Sequence, residues 1–150
     1  WDRPDMALQK FTKSILAGNK ISVFNYGKHR RDFTFIDDIV KGIILVLDQP
    51  AKPNQSWNSA NPDPGSSSAP WRIYNIGNNS PVKLLDYIQA IESSLEIKAN
   101  KDLMPLQPGD VIDTYADVNE LVENFNYKPS TSINEGVSKF VDWYKEYYKS

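Results

Sequence analysis

Apolar residues recur at helical spacing in several stretches of the chain, with short alternating stretches between them. Met6, Phe11, Ile15 and Leu16 share roughly one face of a helix, Pro4 suits its first turn, and Gly18-Asn19 is a stop signal. Ile21-Ser22-Val23-Phe24 alternates as a short strand, and Asn25-Tyr26-Gly27 turns it. Beyond the basic cluster Lys28-His29-Arg30-Arg31, residues 32–36 form a second strand candidate. Asp37 or Asp38 is placed to cap the next helix, which carries Ile39, Val40, Ile43, Ile44, Leu45, Val46 and Leu47. A helix apolar nearly all round is expected to be buried on more than one side.

Residues 49–70 hold five prolines, Gly65 and the run Ser66-Ser67-Ser68, and read as a surface loop. Residues 71–77 are expected to form a strand. Ser80 then caps a helix with Pro81 at its first position and Val82, Leu85, Ile88, Ile91 and Leu95 along one face. Residues 103–111 are expected to be extended. Asp117 with Glu120 has capping-box spacing for a short helix through Phe125. Ser132 with Glu135 is a cleaner capping box, opening a last helix with Val137, Phe140, Val141, Tyr144 and Tyr148. Strands alternating with helices predict an α/β fold.

Composition narrows the function classes. The 150 residues suit one ordinary domain. A net charge of −2 argues against a nucleic-acid binder held by bulk charge. The absence of cysteine removes disulfides, thiolate zinc sites and a cysteine nucleophile, and the single histidine, His29, argues against a His-rich metal site or a Ser-His-Asp triad. No run approaches the roughly 18–20 apolar residues of a membrane-spanning helix. No basic-then-apolar leader is visible, so a cytoplasmic protein is expected. The chain opens on Trp1 rather than a methionine, which suggests processing or a piece of something longer.

No glycine-rich turn of the dinucleotide-binding kind, no phosphate-binding P-loop and no Tyr-x-x-x-Lys pair is present. Four residues after Tyr144 comes Tyr148, and four before Lys149 comes Lys145. What remains is a candidate anion-binding surface. Arg31, beside Arg30, Lys28 and His29, offers a fork of donors suited to phosphate or carboxylate. On charge alone, a solvated hairpin end is the simpler account. Arg3, just ahead of a helix start, is a second anion candidate, with an ordinary exposed residue as its alternative. Asp110, after Pro108-Gly109, is placed to accept sugar hydroxyls or to bond its own turn backbone.

Taken in order, several segments resemble a known family. They are Arg3-Pro4-Asp5-Met6-Ala7, Val23-Phe24-Asn25-Tyr26-Gly27, Arg31-Asp32-Phe33-Thr34-Phe35-Ile36-Asp37-Asp38-Ile39, Tyr74-Asn75-Ile76-Gly77, and Gln107-Pro108-Gly109-Asp110-Val111 followed by Tyr115-Ala116-Asp117. This set resembles the C-terminal part of the extended short-chain dehydrogenase/reductases that act on nucleotide sugars, and within them most resembles UDP-glucuronate 4-epimerases.

The resemblance implies a nucleotide-sugar-binding region spanning 1–150, from an enzyme whose NAD-binding Rossmann half and catalytic residues lie outside this chain. The implied partners are a UDP-sugar substrate and, for the full-length enzyme, a second copy of itself. The implied setting is polysaccharide biosynthesis. Carried over by position, Arg31 resembles the diphosphate clamp and Asp110 the acceptor for the ribose hydroxyls. Phe24 and Asn25 lie on the strand that passes the uracil, and Arg3 lies near the sugar carboxylate. Gln107 stands where glucose/galactose epimerases place a second phosphate-binding arginine, which tilts the resemblance toward the glucuronate enzymes. Asp2 departs from the glycine usual before that arginine. The resemblance also implies that the apolar helix after Asp38 and the segment 71–77 pack onto the cofactor domain.

Overall fold

The computed structural model describes residues 6–149, which divide into two compact units. One combines the chain up to residue 33 with 80–114 and the segment from 131 onward, and the other holds 34–79 and 115–130. Short strands and helices mix throughout, as the α/β expectation requires.

In the first unit, α1 (Ala7–Leu16) leads into β1 (Lys20–Val23), which pairs in parallel with β4 (Asn100–Leu103). A 3-10 turn, Phe24–Gly27, follows β1 and leads to β2 (Arg30–Arg31), which pairs antiparallel with β3 (Val82–Lys83). The helices α3 (Leu84–Leu95) and α5 (Ile133–Tyr148) pack on each other, and α3 also meets α1. Ile15, Ile21, Val23, Ile88, Ile91 and Val141 are at the centre of this core. Phe33 stacks on the buried Tyr87 ring with centroids 4.1 Å apart. Burial pushes the Tyr87 hydroxyl above its ordinary pKa.

Glu92 is a buried carboxylate near the end of α3. It accepts hydrogen bonds from Lys101, from Lys98 Nζ at 3.2 Å and from the Ala99 N–H at 2.9 Å. Burial works to raise its pKa, but these donors outweigh that effect and hold it below the usual glutamate range. The loop entering β4 is thereby tied to the helix before it.

The second unit contains α2 (Ile36–Leu47) and α4 (Asn119–Phe125), which touch each other, together with the loop of residues 49–70. Tyr127 is fully buried, and its hydroxyl donates to the Gly77 carbonyl at 3.2 Å. Residues 49–70 carry no helix or strand and are held by their own polar groups. The Asn54 N–H donates to Ser67 O at 2.9 Å, and the Ser66 hydroxyl and Gly65 N–H both donate to Asp63. Those two bonds keep the Asp63 carboxyl below its ordinary range.

Several local expectations change. Neither Asp37 nor Asp38 caps α2. Phe35 holds the cap position, and the two aspartates fall in the first turn, where their charge suits the positive helix end. Asp38 instead accepts the Ser130 N–H at 3.2 Å. Ser80 and Pro81 do not open α3, because Val82 and Lys83 are taken up by the ladder with β2 and the helix begins after them. Residues 32–35 form no strand and Ile36 already opens α2; the strand lies just before, as β2, and of the segment expected to be extended over 103–111 only Leu103 belongs to a strand, β4. Residues 71–77 form no strand. Arg72 makes an isolated bridge to Ser66, and the Ile73 N–H donates to Gly65 O at 2.9 Å, so the local loop takes up backbone groups that a ladder would need. Ser132 caps α5 as expected, its hydroxyl accepting the Glu135 N–H at 3.2 Å, while the Glu135 carboxylate pairs with Lys139 Nζ at 2.9 Å.

The α2 helix is not buried on several sides. Asp38 and Gly42 are its buried positions, while Ile36, Val40, Ile43, Ile44 and Leu47 form an exposed stripe reaching 73% exposure at Leu47. Beneath the other face, a side chain at Gly42 would come within 3.2 Å of both Ile76 and Tyr127, so this position admits glycine for closeness.

Candidate functional site

The site is built where β2 meets the turn at residues 107–110. Antiparallel pairing of Arg30 with Lys83 and of Arg31 with Val82 fixes β2 on one side. On the other, the Arg30 N–H donates to Ile112 O at 3.0 Å, and the Thr114 N–H donates to Arg30 O at 3.1 Å. Pro108 and Gly109 shape the turn. Gly109 has φ of +79°, a conformation costly for any residue with a Cβ, and the Asp110 N–H donates to Gln107 O at 3.2 Å.

This framework brings Arg31 and Asp110 together. Arg31 Nη2 lies 3.2 Å from Asp110 Oδ1, while Nη1 donates to Ile112 O at 2.9 Å and to Arg30 O at 3.0 Å. Backbone carbonyls thus hold the guanidinium plane in place. Side-chain exposures of 27% for Arg31 and 31% for Asp110 leave the pair open to solvent. A guanidinium carries five N–H donors, so the Nε–H and one Nη2–H remain for a further acceptor.

His29 lies behind this pair. It is 4% exposed, and its Nε2 sits 3.3 Å from Asp110 Oδ2. That is ion-pair distance, but the angle is not that of a hydrogen bond, and Nε2 has no hydrogen-bond partner. The sequence shows His29 as one member of a basic cluster. Its burial beside the carboxylate is a tertiary fact with no local signal.

The other expected site residues differ in their placement. Phe24 and Asn25 are not on a strand. They lie in the 3-10 turn after β1, with Asn25 and Tyr26 both at φ of 51°, because the Tyr26 N–H turns to donate to Met104 O at 2.9 Å. Phe24 lines a groove with Phe11, Ser22, Lys20, Tyr144 and Tyr148, and among the described residues no hydrogen bond or ion pair joins Phe24 or Asn25 to Arg31 or Asp110. Gln107 is exposed and enters the site through its backbone carbonyl. Arg3 lies outside the described residues. Among the described residues, no cluster of three or more His, Cys, Asp or Glu is arranged to hold a metal ion.

Residues 2–77 match the NAD dependent epimerase/dehydratase family. The chain belongs to that family. CapI of Staphylococcus aureus is 56% identical over 149 residues, covering 99% of this chain and 45% of CapI. UDP-glucuronate 4-epimerase 2 of Arabidopsis thaliana is 43% identical over 153 residues, covering 99% of this chain and 34% of the plant protein. The crystal structure of UDP-glucuronic acid 4-epimerase from Bacillus cereus, in complex with UDP-glucuronic acid and NAD, superposes with a TM-score of 0.77 at 26% identity, over 98% of this chain and 42% of that one. This family member therefore spans less than half the length of these relatives.

The family's cofactor does not fit the residues described. After β1 the chain enters the 3-10 turn, and after β4 no helix begins before α4 at Asn119, so neither parallel strand leads through a glycine-rich turn into a helix N-terminus.

Proposed function

We propose that this chain is the nucleotide-sugar-binding region of an NAD-dependent epimerase that interconverts UDP-glucuronate and UDP-galacturonate through a 4-keto sugar. The observation that carries the reading is the Arg31–Asp110 pair, which sets a guanidinium and a carboxylate side by side at a solvent-open position. A partly exposed ion pair contributes about 1 kcal/mol or less. Charge-assisted bonds to a diphosphate are worth roughly 1.5–3 kcal/mol each, so a phosphate oxygen can take over Arg31 at little cost. Asp110, relieved of part of that contact, accepts ribose hydroxyls.

Arg31 then fixes the diphosphate, Asp110 fixes the ribose, and the sugar is presented to reacting groups elsewhere in the protein. Such positioning supports catalysis by removing orientational freedom. Phe24 and Asn25 are assigned to the uracil end, Gln107 to the phosphate side, and Arg3 to the sugar carboxylate. NAD is assigned to a part of the protein beyond residues 1–150, as are the catalytic groups. The working form is a homodimer. The similarity to UDP-glucuronate 4-epimerases and the absence of an arginine at position 107 both support glucuronate over a neutral hexose.

The test uses the full-length protein with NAD and UDP-glucuronate, with UDP-galacturonate as the expected product. Release of UDP-xylose, or of a dehydrated 4-keto-6-deoxy sugar from a UDP-hexose, would instead assign a decarboxylase or a dehydratase on the same scaffold. UDP binding without any turnover would assign a non-catalytic binding module. Residues 1–150 alone are expected to give no turnover.

A further inference from the structure

We propose that His29 is a positioning residue for nucleotide recognition, which turns its buried Nε2–H onto Asp110 Oδ2 and so sets the plane of the carboxylate that meets the ribose. This rests on the assignment of Asp110 to the ribose hydroxyls. His29 is held in place from its own backbone, since its carbonyl accepts the Leu84 N–H at 2.9 Å at the head of α3, and β2 begins at the next residue. Being 4% exposed, the ring cannot exchange its contacts for bulk water. A buried polar nitrogen without a hydrogen bond is an unfavourable state, and the nearest remedy is the carboxylate oxygen 3.3 Å away.

The two oxygens of Asp110 face different donors, Oδ1 towards Arg31 and Oδ2 towards His29. Arg31 is the donor that a diphosphate would draw away. A carboxylate held only by Arg31 would then lose its orientation at the moment its hydroxyl partners arrive. With His29 closing onto Oδ2, the carboxylate keeps its plane, and its remaining lone pairs point to the ligand. The buried histidine therefore acts through Asp110 and needs no contact with the nucleotide.

The experiment measures, by calorimetry on the full-length protein, binding of UDP and of 2′,3′-dideoxy-UDP. His29→Leu removes the donor, His29→Asn leaves an amide too short to reach Oδ2, and His29→Gln keeps an N–H near the place of Nε2. Leu and Asn are expected to weaken UDP about five- to tenfold, the order of one hydrogen bond, and to leave dideoxy-UDP unchanged. Gln is expected to recover most of the UDP affinity, and Leu to add nothing in an Asp110→Asn background. Equal losses for both ligands, or no loss for UDP with either variant, would overturn the proposal. Should His29→Leu fail to fold, His29→Asn decides the outcome alone. The Asp110 assignment fails separately, if Asp110→Asn leaves the preference for UDP over dideoxy-UDP intact.

Discussion

Arg31 Nη2 and Asp110 Oδ1 stand 3.2 Å apart across 79 residues of sequence, joining a two-residue strand to a proline-glycine turn. Because the guanidinium is also held by the carbonyls of Arg30 and Ile112, it stays in place when Asp110 is changed. The two substitutions therefore separate. Arg31→Gln, which loses both the charge and the planar fork, is expected to weaken UDP binding by the full-length protein roughly tenfold or more, with a shallower salt dependence. Asp110→Asn is expected to cost less and, because it removes a negative charge beside the diphosphate, to make the salt dependence no shallower. Calorimetric titration at low and high salt checks both, and equal salt slopes for wild type and Arg31→Gln would remove Arg31 from the diphosphate.

Gly109 and Gly27 test how far turn geometry serves the site. Both have positive φ, +79° and +76°. A Cβ at Gly109 meets nothing within 4 Å, whereas one at Gly27 would fall 2.6 Å from the Leu85 side chain. Gly109→Ala is expected to cost only the backbone term, about 1–2 kcal/mol, while Gly27→Ala adds displacement of Leu85 and costs more. Denaturant unfolding of the full-length protein ranks the two, and Gly109→Ala should also weaken UDP, since it moves Asp110.

Glu92 predicts an acid limb. Its carboxyl binds a proton more weakly when folded than when unfolded, so the unfolded chain takes up more protons as pH falls. The stability from this group is therefore fully present above its usual value of 4.5 and is lost as pH drops below that, through the lower folded value. Glu92→Gln is expected to cost about 1–2 kcal/mol at pH 7 and to flatten the decline in melting temperature below pH 4.5. An unchanged pH profile in the variant would show that the lysines contribute nothing there.

The stripe along α2 carries its own consequence. Burying one such side chain contributes roughly 1.5–3 kcal/mol, and Ile36, Val40, Ile43, Ile44 and Leu47 leave most of that unrealised. Residues 1–150 expressed alone are expected to self-associate and to bind an apolar dye, with Ile43→Glu reducing both. Sedimentation and dye fluorescence check this. A dye-free monomer with a sharp two-state melt is the contrary result.

Local signals were legible to different depths. The Ser132–Glu135 box marked the start of α5 because both partners lie within one turn. Ser80 and Pro81 carry an equally good local signal, yet the helix starts later, since residues 82–83 gain more by pairing with a strand more than 50 residues earlier. Residues 71–77 show the converse. Their composition favours a strand, but a strand exists only where a neighbour presents a free edge. Arg31 and Asp110 were legible as residue types and in the family pattern; their contact was not.

The sequence by itself determined the helical stripes, the α/β class, the family motifs and the absence of a dinucleotide turn from this chain, because each depends on residues close together or on their order. Tertiary structure decided that Arg31 and Asp110 meet, that His29 is buried behind them, that Phe24 and Asn25 occupy a turn rather than a strand, and that α2 keeps an apolar face in solvent. These depend on which distant backbone edges pair and which faces find cover, and no window of neighbouring residues contains that information.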